Sequence, residues 1–391
     1  MMPRAFVVPL LVLTLPLSAR DIHVGRDAPS IAHAIKAAGP GDTIHLEPKV
    51  YHDYAGFYEK HGQPGKPIVL DGHGATLDGS APLNPELWQE VEPGLFKAEK
   101  LLPRFDDAML MRWFFVVDGK MQFMGRTSKG TKPPLKAVAE LHPGEWTFVE
   151  QSTTPAPNSR ILTGAFFLKL VPGTPLAQAN IRIPVRSAGV QFGGKNSHLV
   201  IRNITATRPY NDGFNIHGDC HDVVFENIAA IDCGDDGISA HGTAKYRVDG
   251  FVSIGNSTGI CDTGHAETSY HRVFISRCIG YDLFFLDHGR YRLSHAIIHS
   301  SAQNPFSVVG REDSSCELAL ENIVFRRNGS PKAGYISATA RVTGERVSLQ
   351  NFEFTNRGTL SITGQADERA ILESFTEPMR RLVRTASLPE R

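Results

Sequence analysis

The chain has 391 residues, with 41 basic and 41 acidic side chains and 41% hydrophobic residues. That balance argues against nucleic acid or an anionic membrane as partner, since both require a basic surface. Five cysteines, all between Cys220 and Cys316, make no disulfide framework, although one or two bridges can form in an oxidising compartment.

From the start, Arg4 followed by the apolar run Ala5 to Leu17 and the small pair Ser18-Ala19 reads as an export signal over residues 1–19. This run is too short to span a bilayer, which takes roughly 20 apolar residues. No cysteine follows it to carry a lipid, so the expectation is a secreted protein, periplasmic or extracellular, with no membrane anchor. Residues 20–81 read as an N-terminal cap and the first coils of a solenoid. Ser30 is placed to cap a short helix through Ile31, Ala34 and Ile35, ended by Gly39-Pro40-Gly41. Strands are expected at Thr43 to Leu46 and Ile68 to Leu70.

Residues 82–186 break the period that follows. They contain all three tryptophans (Trp88, Trp113, Trp146) and a proline-rich stretch, and read as an inserted small β-subdomain. Its tryptophans are expected in its own core more readily than stacked on sugar rings.

Residues 187–366 carry the repeat. Leu199 to Ile204, Val223 to Ile228, Leu318 to Ile323 and Val347 to Phe352 are short apolar stretches ending in an Asn and one more apolar residue. Asn203 and Asn227 are 24 apart, and Asn227 to Asn322 is 95, close to four such steps. Asn351 falls in the same pattern. A second element follows the Asn by about nine residues, as Asp212 to Gly218 and again as Asp236 to Gly242. A coil of this length that returns to the same side chain predicts an all-β fold, a single-stranded right-handed parallel β-helix. Residues 367–391 read as a helical tail that Pro378 interrupts.

Chemistry concentrates in the middle coils. Eight of 16 histidines lie between residues 210 and 313, with 14 acidic and seven basic side chains. Asp212 and Asp236 occupy one position on adjacent coils, with Asp235 beside them, so their backbones should lie about 4.8 Å apart. Crowded carboxylates cannot all ionise freely, which gives an acid beside a base, the pair that glycoside hydrolysis needs. His217 and His241 are equivalent positions, and His265 and His288 fall close to the same line. With Tyr210, Asp262, Asp287, Arg290 and Arg311 they form a candidate substrate-binding row, His241 being also a candidate acid or base. A polysaccharide or oligosaccharide is the expected substrate. No metal-ligand spacing for zinc is present, the hydrolytic reading requires no cofactor, and a Ca²⁺ ion is a candidate occupant of the aspartates.

Asn211-Asp212-Gly213 followed one coil later by Gly234-Asp235-Asp236 resembles the polygalacturonase-type glycoside hydrolases, inverting enzymes on a pectin-lyase-like β-helix. The resemblance implies a secreted polysaccharide-degrading hydrolase with Asp235 as general acid and Asp212 and Asp236 activating water. The family's next Gly-His-Gly is here Ser257-Thr258-Gly259, and its later Arg-x-Lys is absent. The opening coils, with Gly41-Asp42-Thr43-Ile44, Pro67-Ile68-Val69-Leu70 and Leu77-Asp78-Gly79-Ser80, are similar to those of alginate and chondroitin lyases and mannuronan epimerases. That likeness implies proton abstraction beside a uronate carboxylate, with Tyr210, His217, His241, Lys245, Tyr281 and Arg290 as the available set. A non-catalytic carbohydrate-binding solenoid is the third reading. Charge favours hydrolysis, because an acidic groove repels a polyuronate.

Overall fold

A computed structural model describes residues 19–311, 315–328 and 332–386. The expected export signal, apart from Ala19, lies outside the described residues.

Two parallel sheets wind together up the molecule, one of twelve strands and one of nine. The larger holds the long strands of successive coils, Lys195–Thr207, Asp219–Ile231, Lys245–Ile254, Glu267–Ser276, Arg290–Ser300, Cys316–Arg327 and Ala340–Gln350. The smaller holds Val190–Gly193, Phe214–Ile216, Asp236–Ala240, Thr258–Asp262 and Tyr281–Asp287 among others. Neighbours pair in parallel register, Val224 to Arg247 and Phe214 to Ile238 for example. The chain is a right-handed parallel β-helix.

The corner in each long strand explains the recurring Asn. Asn203, Asn227 and Asn322 have φ of 56°, 49° and 59°, the left-handed region that Asn tolerates better than most residues. One such residue resets the alternation of the strand. In Asp219–Ile231, Val223 and Phe225 point inward before the corner, and Ile228 and Ala230 after it. Asn227 Nδ2 reaches Asn203 Oδ1 at 3.5 Å, and Asn203 Nδ2 donates to Asp71 Oδ1 at 2.9 Å. Asn351 does not belong to this column. Glu321 pairs with Glu345 and Ile323 with Val347, so Arg346 (φ 54°) stands opposite Asn322, and Asn351 turns the next corner five residues later.

Ser30 caps the helix Ile31–Ala37 through its Oγ and the His33 amide, and Ile31, Ala34 and Ile35 join the apolar interior of the first coils. The tail forms two helices, Glu368–Ser374 and Glu377–Ala386, with Pro378 in the first turn of the second, where its missing N–H costs no helical bond. Ile371, Phe375, Met379 and Val383 cover an outward apolar stripe made of Ala229, Val252, Ile254, Phe274, Ile297 and Val324.

Residues leave the solenoid after Ser80–Pro82 and return through Ile181–Pro184, which pair antiparallel with each other. Between them, two four-stranded sheets enclose a separate apolar core. Trp88, Trp113 and Trp146 are all buried in it, packed around Phe115 and Phe166. The five cysteines are free, buried thiols, and Cys220, Cys233, Cys278 and Cys316 act as small apolar fillers of the interior.

Candidate active site

The inserted subdomain brings Arg112 and the segment Thr127 to Thr131 against the turns that lead into strands of the smaller sheet, over the coils that carry the aspartates. Gly234 permits this approach, since a side chain there would run into the Tyr210 and Arg112 carbonyls. Arg112 Nε lies 2.8 Å from Asp235 Oδ2. Lys129 Nζ bridges Asp235 Oδ1 at 2.6 Å and Asp236 Oδ1 at 2.7 Å, and the Ser128 hydroxyl also donates to Asp235. Asp212 accepts from the Asp236 amide at 3.1 Å and from Ser239 Oγ at 2.7 Å.

Asp212, Asp235 and Asp236 are each only 2% exposed, so they form the floor beneath the insertion and not the wall of an open groove. Burial alone would raise all three carboxyls. At Asp235 the Lys129 and Arg112 charges overcome burial and hold it below the usual carboxylate value. Burial and the Asp235 charge push Asp236 well above it, and Asp212 moves up for the same two reasons. Lys129 stays cationic because the aspartates outweigh its own desolvation.

Asp235 is thus the carboxyl held low, by two donors and the Arg112 charge, and Asp236 the one pushed up. Arg112 and Lys129, contributed from outside residues 210 to 313, offset part of the acidic surplus at the aspartates. The three carboxylates bring oxygens within 4.8 Å of one another, a spacing that can hold a cation, but the Lys129 ammonium already bridges two of them.

The histidines form two pairs and not one line. His217 and His241 stack with ring centroids 4.1 Å apart and planes 6° from parallel. His265 and His288 stack at 4.6 Å and 7°. Because Ala240 pairs with Asp262, the position opposite His241 on the next coil is Thr263, and the second pair is offset by two residues. Desolvation, then the Lys129 charge, brings His241 down to about 4. His217 is held to about 4 by desolvation and by its partner ring, although it is the more exposed of the two and water screens it more. Both imidazoles are therefore neutral near pH 7 and able to accept a proton.

Other expected site residues lie elsewhere. Asp262 is fully buried inside the solenoid, bound by Tyr246, Thr268, Tyr270 and the Ala240 amide, and cannot meet a substrate. Asp287 pairs with Arg311 at 2.5 Å and accepts from the Gly264 amide at 3.0 Å, tying the turn beside His265 and His288. Arg290 and Lys245 share Glu267, at 3.1 and 2.9 Å, on the outward face of the larger sheet. Two open grooves of about 590 and 670 Å³ run along that face past Ser269, Arg292 and Thr343, away from the aspartates. Tyr210 is half-buried two residues before Asp212, and Tyr281 stacks on Phe284.

Arg112, Ser128 and Lys129 were not foreseen, being more than 80 residues from the aspartates in a segment that breaks the repeat. The available signal was Arg126 to Lys132, three cations in seven residues of the insertion.

No protein family and no curated protein matches the sequence. Among solved structures, one titled "The complex structure of XylC with xylose" is similar, with a TM-score of 0.47 and 10% identity over 84% of this chain and 70% of that one. The chemistry of the site has to be read from its own residues.

Proposed function

We propose that the protein cleaves a uronate-containing polysaccharide by β-elimination, with the His217–His241 pair as base. The observation that carries this reading is the stacked, neutral imidazole pair beside the cations Arg112 and Lys129. Abstraction of a proton next to a carboxylate needs a base that is free at working pH and positive charge nearby to stabilise the developing anion. His241 takes the proton from the carbon next to the carboxylate, the bond to the leaving glycosidic oxygen breaks as the ring double bond forms, and Tyr210 supplies the proton to that oxygen. The cations Arg112 and Lys129 offset the aspartate charge, which favours approach of an anionic chain.

Hydrolysis is the second reading, favoured by Asp236, whose carboxyl burial and the Asp235 charge push up, beside Asp235, which Lys129 and Arg112 hold low. Against it stands spacing: inverting hydrolases separate their carboxyl groups by roughly 6.5–9.5 Å to admit water. Here Lys129 occupies the gap between Asp235 and Asp236.

Incubation with neutral and uronate polymers separates the two. Elimination yields an unsaturated, ultraviolet-absorbing product on uronates alone, and hydrolysis yields reducing ends without it.

A further inference from the structure

A second cluster of metal-binding side chains lies at the start of the long strands, on the coils of Lys195–Thr207 and Asp219–Ile231. His198 and Asp222 are equivalent positions one coil apart, since Ser197 pairs with His221 and Leu199 with Val223. Both adopt left-handed backbone, with φ of 53° and 52°. His198 Nδ1 lies 3.4 Å from Asp222 Oδ2, and one ligand atom from each of His198, His221 and Asp222 falls within 4.8 Å of the others.

We propose that His198, His221 and Asp222 form a binding site for a divalent transition cation of the zinc class. Tetrahedral zinc with arms of about 2.1 Å to nitrogen and oxygen sets its ligand atoms roughly 3.4 Å apart. The His198–Asp222 separation already matches that edge. His221 is exposed, so a small change of side-chain angle brings its nitrogen to the third corner, leaving the fourth to water. Ring orientation separates this cluster from the two stacked histidine pairs beside the aspartates and the turn at Asp287. The His198 and His221 rings meet at 82°, so their nitrogens can converge on one ion. The His217–His241 and His265–His288 rings are nearly parallel and present their nitrogens side by side, which does not converge. Two imidazoles and a carboxylate are borderline donors that suit zinc, copper or nickel and not calcium or magnesium.

The test is zinc titration by calorimetry on the chain without a polyhistidine tag, at pH 7.5 and again at pH 5.5. One equivalent of zinc is expected at the higher pH and at least tenfold weaker binding at the lower, where imidazoles compete for protons. His221→Ala and Asp222→Asn, both at exposed positions, should each weaken binding at least tenfold while circular dichroism stays unchanged. Absence of zinc binding by the wild-type chain overturns the proposal. So does undiminished binding by His221→Ala, which would place the ion elsewhere.

Discussion

The Lys129 ammonium lies 2.6 Å from Asp235 although the two residues are 106 positions apart, and this contact locks the inserted subdomain onto the solenoid. Lys129→Met leaves Asp235 and Asp236 buried with one cation fewer. Removing one partner of a buried pair costs about 3 kcal/mol or more. A urea titration of the variant should show that loss, and an unchanged midpoint would mean the contact contributes nothing.

Asp235→Asn follows from the same geometry. An exposed acid would tolerate the change, but Asp235 is 2% exposed and pairs with both Lys129 and Arg112. The variant should lose stability as well as activity, by about 3 kcal/mol in the same titration. Full stability with lost turnover would restore Asp235 as a purely chemical residue.

The pH profile reports the imidazole pair. His241 and His217 are brought down to about 4, so kcat/KM should rise as pH increases through about 4 and be level by pH 6. An unperturbed histidine base would place that rise near 6.5. A rise centred near 6.5 would assign the chemistry to another group.

Asp262 makes a stability prediction of opposite sign to the histidines. Burial raises its carboxyl to about 6, against about 3.8 when unfolded. The folded state therefore holds the extra proton between those values, and the contribution of Asp262 to stability falls as pH rises from about 4 to 6. His241, depressed from 6.5 to about 4, contributes stability that is lost as pH falls through the same range. Comparing wild type with Asp262→Asn by thermal melts should show the variant gaining relative stability as pH rises from 4 to 7. A pH-independent difference would refute the raised carboxyl.

The period of the coils was legible because one physical requirement recurs. A left-handed corner favours Asn, and Asn203, Asn227 and Asn322 mark it. The reading failed at Asn351, where another corner five residues on has the same preference, and Arg346 filled the position that spacing had assigned to Asn. Asp212, Asp235 and Asp236 could be brought together from the repeat alone, since stacking fixes equivalent positions. Their protonation could not, because Arg112 and Lys129 arrive from an insertion whose path no period describes. Asp262 misled for a related reason: the alternation of Thr258–Asp262 turns its last side chain inward, toward Tyr246 and Tyr270.

The decisive measurement is the rate of unsaturated-product formation from a polyuronate by wild type and by His241→Ala at pH 7. The account predicts measurable elimination by the wild type and a loss of about 10²-fold or more in the variant, the usual contribution of a positioned base. Cleavage that produces reducing ends without unsaturation, undiminished in His241→Ala, would contradict it and return the chemistry to the aspartates.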